Sequence, residues 1–165
     1  MYRRILVPVE NEEHQEPALA HALRLASSVC TGQNEAQATR ATIILAWIVP
    51  VVASEEYFFK QMQVEPGSSG ARRQAQGEAF LERASTMLRN AGVQVQTKVV
   101  ITPLAPEQAI LDLATEQEVD LILMATLPQS AVGRFLLGSV GDKVRRRSPL
   151  PVLFVQAPEA TAGTR

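Results

Sequence analysis

The residues best placed to do chemistry are Gly138 and Ser139. Shortly before them, Leu121 to Met124 is a run of apolar residues without polar alternation, the pattern of a strand buried on both faces. The run ends at Ala125-Thr126, and a loop containing Pro128 follows. Asp142 stands three residues after Ser139, the spacing of a capping box, so a helix is expected to open there. A strand, a loop and a helix amino end bring unsatisfied backbone N–H groups together, which suits a phosphate, a sulfate or another small anion. Ser139 adds a hydroxyl; on a second reading it only caps the helix, and the residues leave both readings open.

Other near-motifs carry less. Gly133-Arg-Phe-Leu-Leu-Gly138 has the two-glycine spacing of a P-loop, but Ser139-Val140 stands where Lys-Ser/Thr is needed. Gly138-Ser-Val-Gly141 resembles a nucleophile elbow, yet Leu137 occupies the place of the first glycine. His14 and His21 are seven apart, too far for an i,i+4 metal pair, and read as surface residues. Glu10, Glu12 and Glu13 read as a solvated acidic turn rather than a Mg²⁺ site. Arg145 to Arg147 reads as a helix terminus facing water, where cations favour the negative end of the helix dipole. No nucleophile, base and orienting group can be assembled, so no catalytic residue and no metal ligand is expected.

Composition narrows the classes further. A chain of 165 residues suits one domain that buries roughly 70% of its unfolded surface. A net charge of −1 gives no electrostatic reason to expect nucleic acid or an anionic membrane as partner. The single cysteine, Cys30, excludes an intrachain disulfide and reads as a buried, inert thiol. Met-Tyr-Arg-Arg leads directly into a strand, and no apolar run reaches membrane-spanning length, so a cytoplasmic protein is expected.

The elements that must position Ser139 follow in order. Strands are expected at Arg4–Val9, Thr42–Val49, Val93–Ile101, from Asp120, and at Pro151–Val155. Pro17 opens the first helix, whose stripe is Leu19, Ala22, Leu23, Ala26, Val29 and Cys30. A second helix spans Ala71–Ala91 with Leu81, Ala84 and Leu88 in register and Gly92 as its stop. The third begins at Pro106, with Ala109, Ile110, Leu113 and Ala114 on its core side, and the fourth at Ser139. Between Val51 and Gly70 the pattern breaks down, and Tyr57, Phe58 and Phe59 read as a satellite cluster, with a lid or a partner contact as alternatives. The domain is expected to span 1–156, followed by a frayed tail over 157–165. Five strands alternating with four helices predict a parallel sheet, two helices on each face, and a ligand crevice at the strands' carboxyl ends.

Ile5-Leu-Val-Pro-Val-Glu10, Asp120-Leu-Ile-Leu-Met124, Leu136-Leu-Gly-Ser-Val140 and Pro151-Val-Leu-Phe-Val155, in that order, resemble the universal stress protein family. The resemblance runs from Ile5 to Val155. It implies a Rossmann-like, adenine nucleotide alpha hydrolase-like sheet of order 3-2-1-4-5, with its switch point between the first and fourth strands. Pro8, Val9 and Glu10 would there meet Met124 and Ala125, with Ser139 opposite and Ile48 and Val140 on the adenosine side. The family's ATP-binding members carry Gly-x2-Gly-x9-Gly-Ser/Thr, and this chain has Ala125, Pro128, Gly138 and Ser139 at those positions. Pro128 cannot donate, and a hydrogen bond lost to a charged group costs about 1.5–3 kcal/mol. Ala125 adds about 1 kcal/mol if the backbone there needs positive φ. Together these predict affinity on the order of 100- to 1,000-fold weaker. The family's aspartate after the first strand is replaced by Glu10.

The resemblance also implies a homodimer joined through the last strand, at Val152, Leu153, Phe154 and Val155. The expected function is a stress-response binding or signalling module with weak or no ATP binding. One alternative is a switch that keeps ATP or AMP through Glu10, Met124 and the Gly138-Ser139 helix end, with slow hydrolysis at most. Another is a ligand-free dimerisation domain.

Overall fold

A computed structural model of the protein describes residues 2–9, 15–28, 41–50, 68–126 and 139–156, and of Ser28, Ser68, Ser69 and Ser139 the backbone alone. Glu10, His14, Cys30, Tyr57 to Phe59, Pro128, Gly138 and the segment 157–165 lie outside the described residues.

The strands are β1 (Arg4–Val9), β2 (Thr42–Pro50), β3 (Gln94–Thr102), β4 (Leu121–Thr126) and β5 (Val152–Gln156). All adjacent pairs are parallel, in the order β3-β2-β1-β4-β5. The helices are α1 (Glu16–Ser28), α2 (Ser68–Asn90), α3 (Pro106–Glu116) and α4 (Ser139–Arg147). The expected single α/β domain and its strand order are therefore present. The second helix starts three residues earlier than its apolar register suggests, since Ser68–Gly70 joins its first turn.

Alternation along the strands sorts the core into two layers. Ile5, Val7, Ile43, Leu45 and Leu123 pack with Ala22 of α1 and Leu88 of α2. Leu6, Ile44 and Ile122 pack with Ile110 of α3 and Val144 of α4. Each face thus carries two helices, which is why β1 and β2 are apolar almost without interruption. Trp47 is buried beneath α2, with its ring centroid 5.8 Å from that of Phe80. A Cβ built on Gly77 would lie 2.3 Å from the indole, so only glycine admits this approach.

Two helices end alike. Gly92, at φ 81°, terminates α2, with the Val93 N–H donating to the Leu88 carbonyl at 3.2 Å. At the end of α3 the same geometry falls on Glu118, at φ 48°, with the Val119 N–H donating to the Ala114 carbonyl at 2.9 Å.

At the amino ends of the strands the sheet is closed by a carboxylate. Asp120 accepts from the backbone N–H of Arg3 at 2.7 Å and of Arg4 at 3.0 Å, and its own N–H donates to the Arg4 carbonyl at 3.0 Å. The Arg4 Nε donates to the Gln117 carbonyl beside it. Asp120 therefore ties β1 to β4 at the edge opposite the crevice.

Candidate functional site

The gap in the β1–β4 pairing begins with proline chemistry. Arg3 gives its carbonyl to Thr42 of β2, and Arg4 gives its carbonyl to Asp120, next to β4. Successive β1 residues thus address opposite neighbours, which turns Leu6 and Pro8 toward β4. The β1–β4 register holds Ile5 opposite Leu121 and Leu6 opposite Ile122, and stops there. The next step of a parallel ladder requires residue 8 to donate to the Leu123 carbonyl, and proline has no N–H. β1 continues to Val9 and β4 to Thr126 without further pairing between them. On the other side β1 stays paired with β2 up to Val9 opposite Trp47. The ladder therefore ends selectively at the switch point, where a ligand can lie between strands.

The sequence-predicted site residues divide between the two faces. Ile48 (2% exposed), Met124 (8%) and the half-buried Val140 lie in the α3/α4 layer. Pro8 is buried and has the parity of Leu6, which places it on that same side. Val9 and Ala125 belong to the α1/α2 layer. Ala125 is the fifth residue of β4, and among the described residues only Glu118 and Gly92 have positive φ. The backbone strain that would penalise alanine at this position is absent, so that part of the expected affinity loss is withdrawn. The Ile122 N–H donates to the Pro151 carbonyl. Alternation then directs the backbone of Ala125 toward β1, while its methyl points to the α1/α2 layer.

Helix α4 starts at Ser139. Val140 and Val144 seat it on the sheet, and Gly141 lies against β5: a Cβ there would be 3.1 Å from Phe154 Cε1. Packing of an aromatic ring accounts for the glycine that makes the sequence resemble a nucleophile elbow. The carboxylate of Asp142 is held by Arg145 Nη2 at 3.0 Å and Arg146 Nε at 2.7 Å, so the exposed basic end of α4 folds back on the helix's own acid. In β5, Phe154 and Val155 are half-buried on opposite faces of their own domain, and Leu153 is 37% exposed.

Helix α3 also begins at the carboxyl edge, but its amino end is occupied. Its N-cap Ala105 makes no side-chain cap, and Glu107 is buried beside it. The Glu107 carboxyl is held below the ordinary carboxylate range, first by its own backbone N–H, then by Lys143 of α4. Arg147 adds to this, and burial opposes it. The Lys143 Nζ is 3.0 Å from Glu107 Oε1. Sequence reasoning missed this pair because an acid in a first helical turn reads as a solvated partner of the helix dipole.

Of the two histidines only His21 is described; the Arg24 guanidinium donates to its Nδ1 at 3.0 Å. Among the described residues no three side chains are grouped to hold a metal, and no helix is long and apolar enough to cross a membrane.

A family model described as the universal stress protein family matches residues 1–156. The chain belongs to this family. A universal stress protein of Methanocaldococcus jannaschii is 24% identical over 160 residues, covering 96% of this chain and 85% of the relative. The solved structure of protein MJ0577 shares the fold with TM-score 0.72 and 23% identity, covering 97% of this chain and 99% of that one. A universal stress protein from Archaeoglobus fulgidus, solved in complex with dAMP, has TM-score 0.63 and 16% identity over 93% of this chain and 98% of its own. A universal stress family protein from Arabidopsis thaliana, solved with AMP bound, has TM-score 0.59 and 17% identity over 95% of this chain and 93% of its own.

Proposed function

We propose that this universal stress family chain is a non-catalytic, cytoplasmic binding module that takes an adenine nucleotide weakly in the β1/β4 crevice. The observation that carries the reading is the end of the β1–β4 ladder at Leu6–Ile122, directly before Pro8. There Ile48, Met124 and Val140 form one apolar wall on the side of α4. An adenosine moiety would lie on that wall, and its phosphate would meet the amino end of α4 at Ser139. Nucleotide complexes of two structural relatives support the same class of ligand. Affinity is weakened by Pro128, which cannot donate, rather than by Ala125, which sits in an unstrained strand. The module pairs through β5, with Leu153 as its exposed apolar residue.

Calorimetric titration of AMP, and of ATP with Mg²⁺, into protein stripped of copurified ligand tests the reading. Dissociation constants weaker than roughly 100 μM are expected, and Pro128→Gly strengthens binding by roughly tenfold, about 1.4 kcal/mol. Tight micromolar binding by the unmodified protein, or no gain in the variant, contradicts this account of the weakness. Sedimentation of Leu153→Lys tests the pairing: monomers are expected, and an unchanged dimer refutes it.

A further inference from the structure

Five observations bear on how α4 is held. Glu107 is 5% exposed and stands in the first turn of α3. The Lys143 Nζ, on a side chain 52% exposed, reaches inward to it at 3.0 Å. The Arg147 Nη2 donates to the Gln108 Oε1 of the same α3 turn. Lys143 and Ser139 are four residues apart in α4, hence on one face of that helix. On its other side α4 is limited by Phe154 against Gly141.

We propose that Glu107 and Lys143 are positioning residues that fix the amino end of α4 for its ligand, an inference that rests on the nucleotide reading above. A buried acid paired with a lysine across a helix interface is a poor source of net stability. It is a better source of placement, because the pair is satisfied only while α4 lies against α3. The apolar wall at Val140 and the N–H groups at Ser139 then face the crevice without rearranging when a phosphate arrives.

Lys143→Met, Lys143→Arg and the double variant Glu107→Gln/Lys143→Met separate placement from stability. Lys143→Met is expected to lower the urea midpoint, to speed exchange of the α4 amides of residues 143–147 at least roughly tenfold relative to β2 amides, and to weaken AMP binding. Lys143→Arg restores all three. The double variant removes the unpaired buried charge, so its midpoint returns near the parent's while α4 exchange stays fast and AMP binding stays weak. Return of exchange and affinity together with the midpoint overturns the proposal, since the pair would then matter only as buried charge. Parent-like α4 protection in Lys143→Met also overturns it. Failure of the parent to bind AMP refutes the nucleotide reading alone, and the exchange result still decides whether the pair positions α4.

Discussion

The two ends of the β1–β4 seam are built in opposite ways. At the amino end, one carboxylate satisfies two backbone N–H groups of β1, and the chain around Asp120 is tied down by four hydrogen bonds that include Arg4 to Gln117. At the carboxyl end a proline removes a donor and the ladder stops after Leu6. The same two strands are therefore tied at one end and unpaired at the other, where the ligand is proposed to lie. A side chain that looks chemically competent, Asp120, is a strap, and one that looks inert, Pro8, stands where the ladder ends.

This contrast can be broken from either end. Asp120→Ala should cost about 2–3 kcal/mol in urea unfolding, because two N–H groups lose a charged acceptor. Nucleotide affinity should be unchanged, and a matched loss of both would show that the two ends are coupled. Near the carboxyl end, Gly77→Ala places a methyl against Trp47. Overpacking of about 1–3 kcal/mol is set against a gain of about 1 kcal/mol in helix propensity, leaving a net loss of up to about 2 kcal/mol. Fluorescence of the one tryptophan reports the displacement, and a stabilised variant with unaltered emission would refute the packing.

The Glu107 carboxyl is expected to make stability depend on acid. Its folded-state pKa is depressed by its own backbone N–H and by Lys143, so its contribution is complete above the unfolded carboxylate value of about 4.3. It is lost as pH falls through the lower folded value. Parent and Glu107→Gln should thus differ in urea midpoint at pH 7 and converge on acidification. A gap that persists well below the carboxylate range would contradict the ionic origin. The smallest effect belongs to the amino-end turn: Glu118→Gly should stabilise by about 0.5–1 kcal/mol, as it relieves a left-handed residue.

Much of the fold was legible because periodicity reports burial. Ala109, Ile110, Leu113 and Ala114 are buried as their spacing predicts, and β1 occupies Arg4–Val9 as read. Periodicity does not report neighbours, so the strand order came from resemblance to the family rather than from the residues. Gly77 was silent because a glycine inside a helix looks the same whether or not an indole lies on it. Phe154 was read as an interface residue; its ring also serves its own core, which an apolar pattern in an edge strand cannot distinguish. For the proposed site, Ile48, Met124 and Val140 came from resemblance to the family rather than from spacing, and they lie in one apolar layer. The backbone conformation at Ala125 was beyond the sequence, since alanine is compatible with either sign of the argument.

Mapping AMP onto the backbone amides of isotope-labelled protein tests the account most directly. Shifts are expected at Val9, Ile48, Ala125, Val140 and the first turn of α4, with Arg3, Arg4 and Asp120 unmoved at the same ligand concentration. Saturable shifts confined to the Asp120 end, or spread evenly over both ends of the seam, would contradict the assignment of the crevice to the side that Pro8 leaves unpaired.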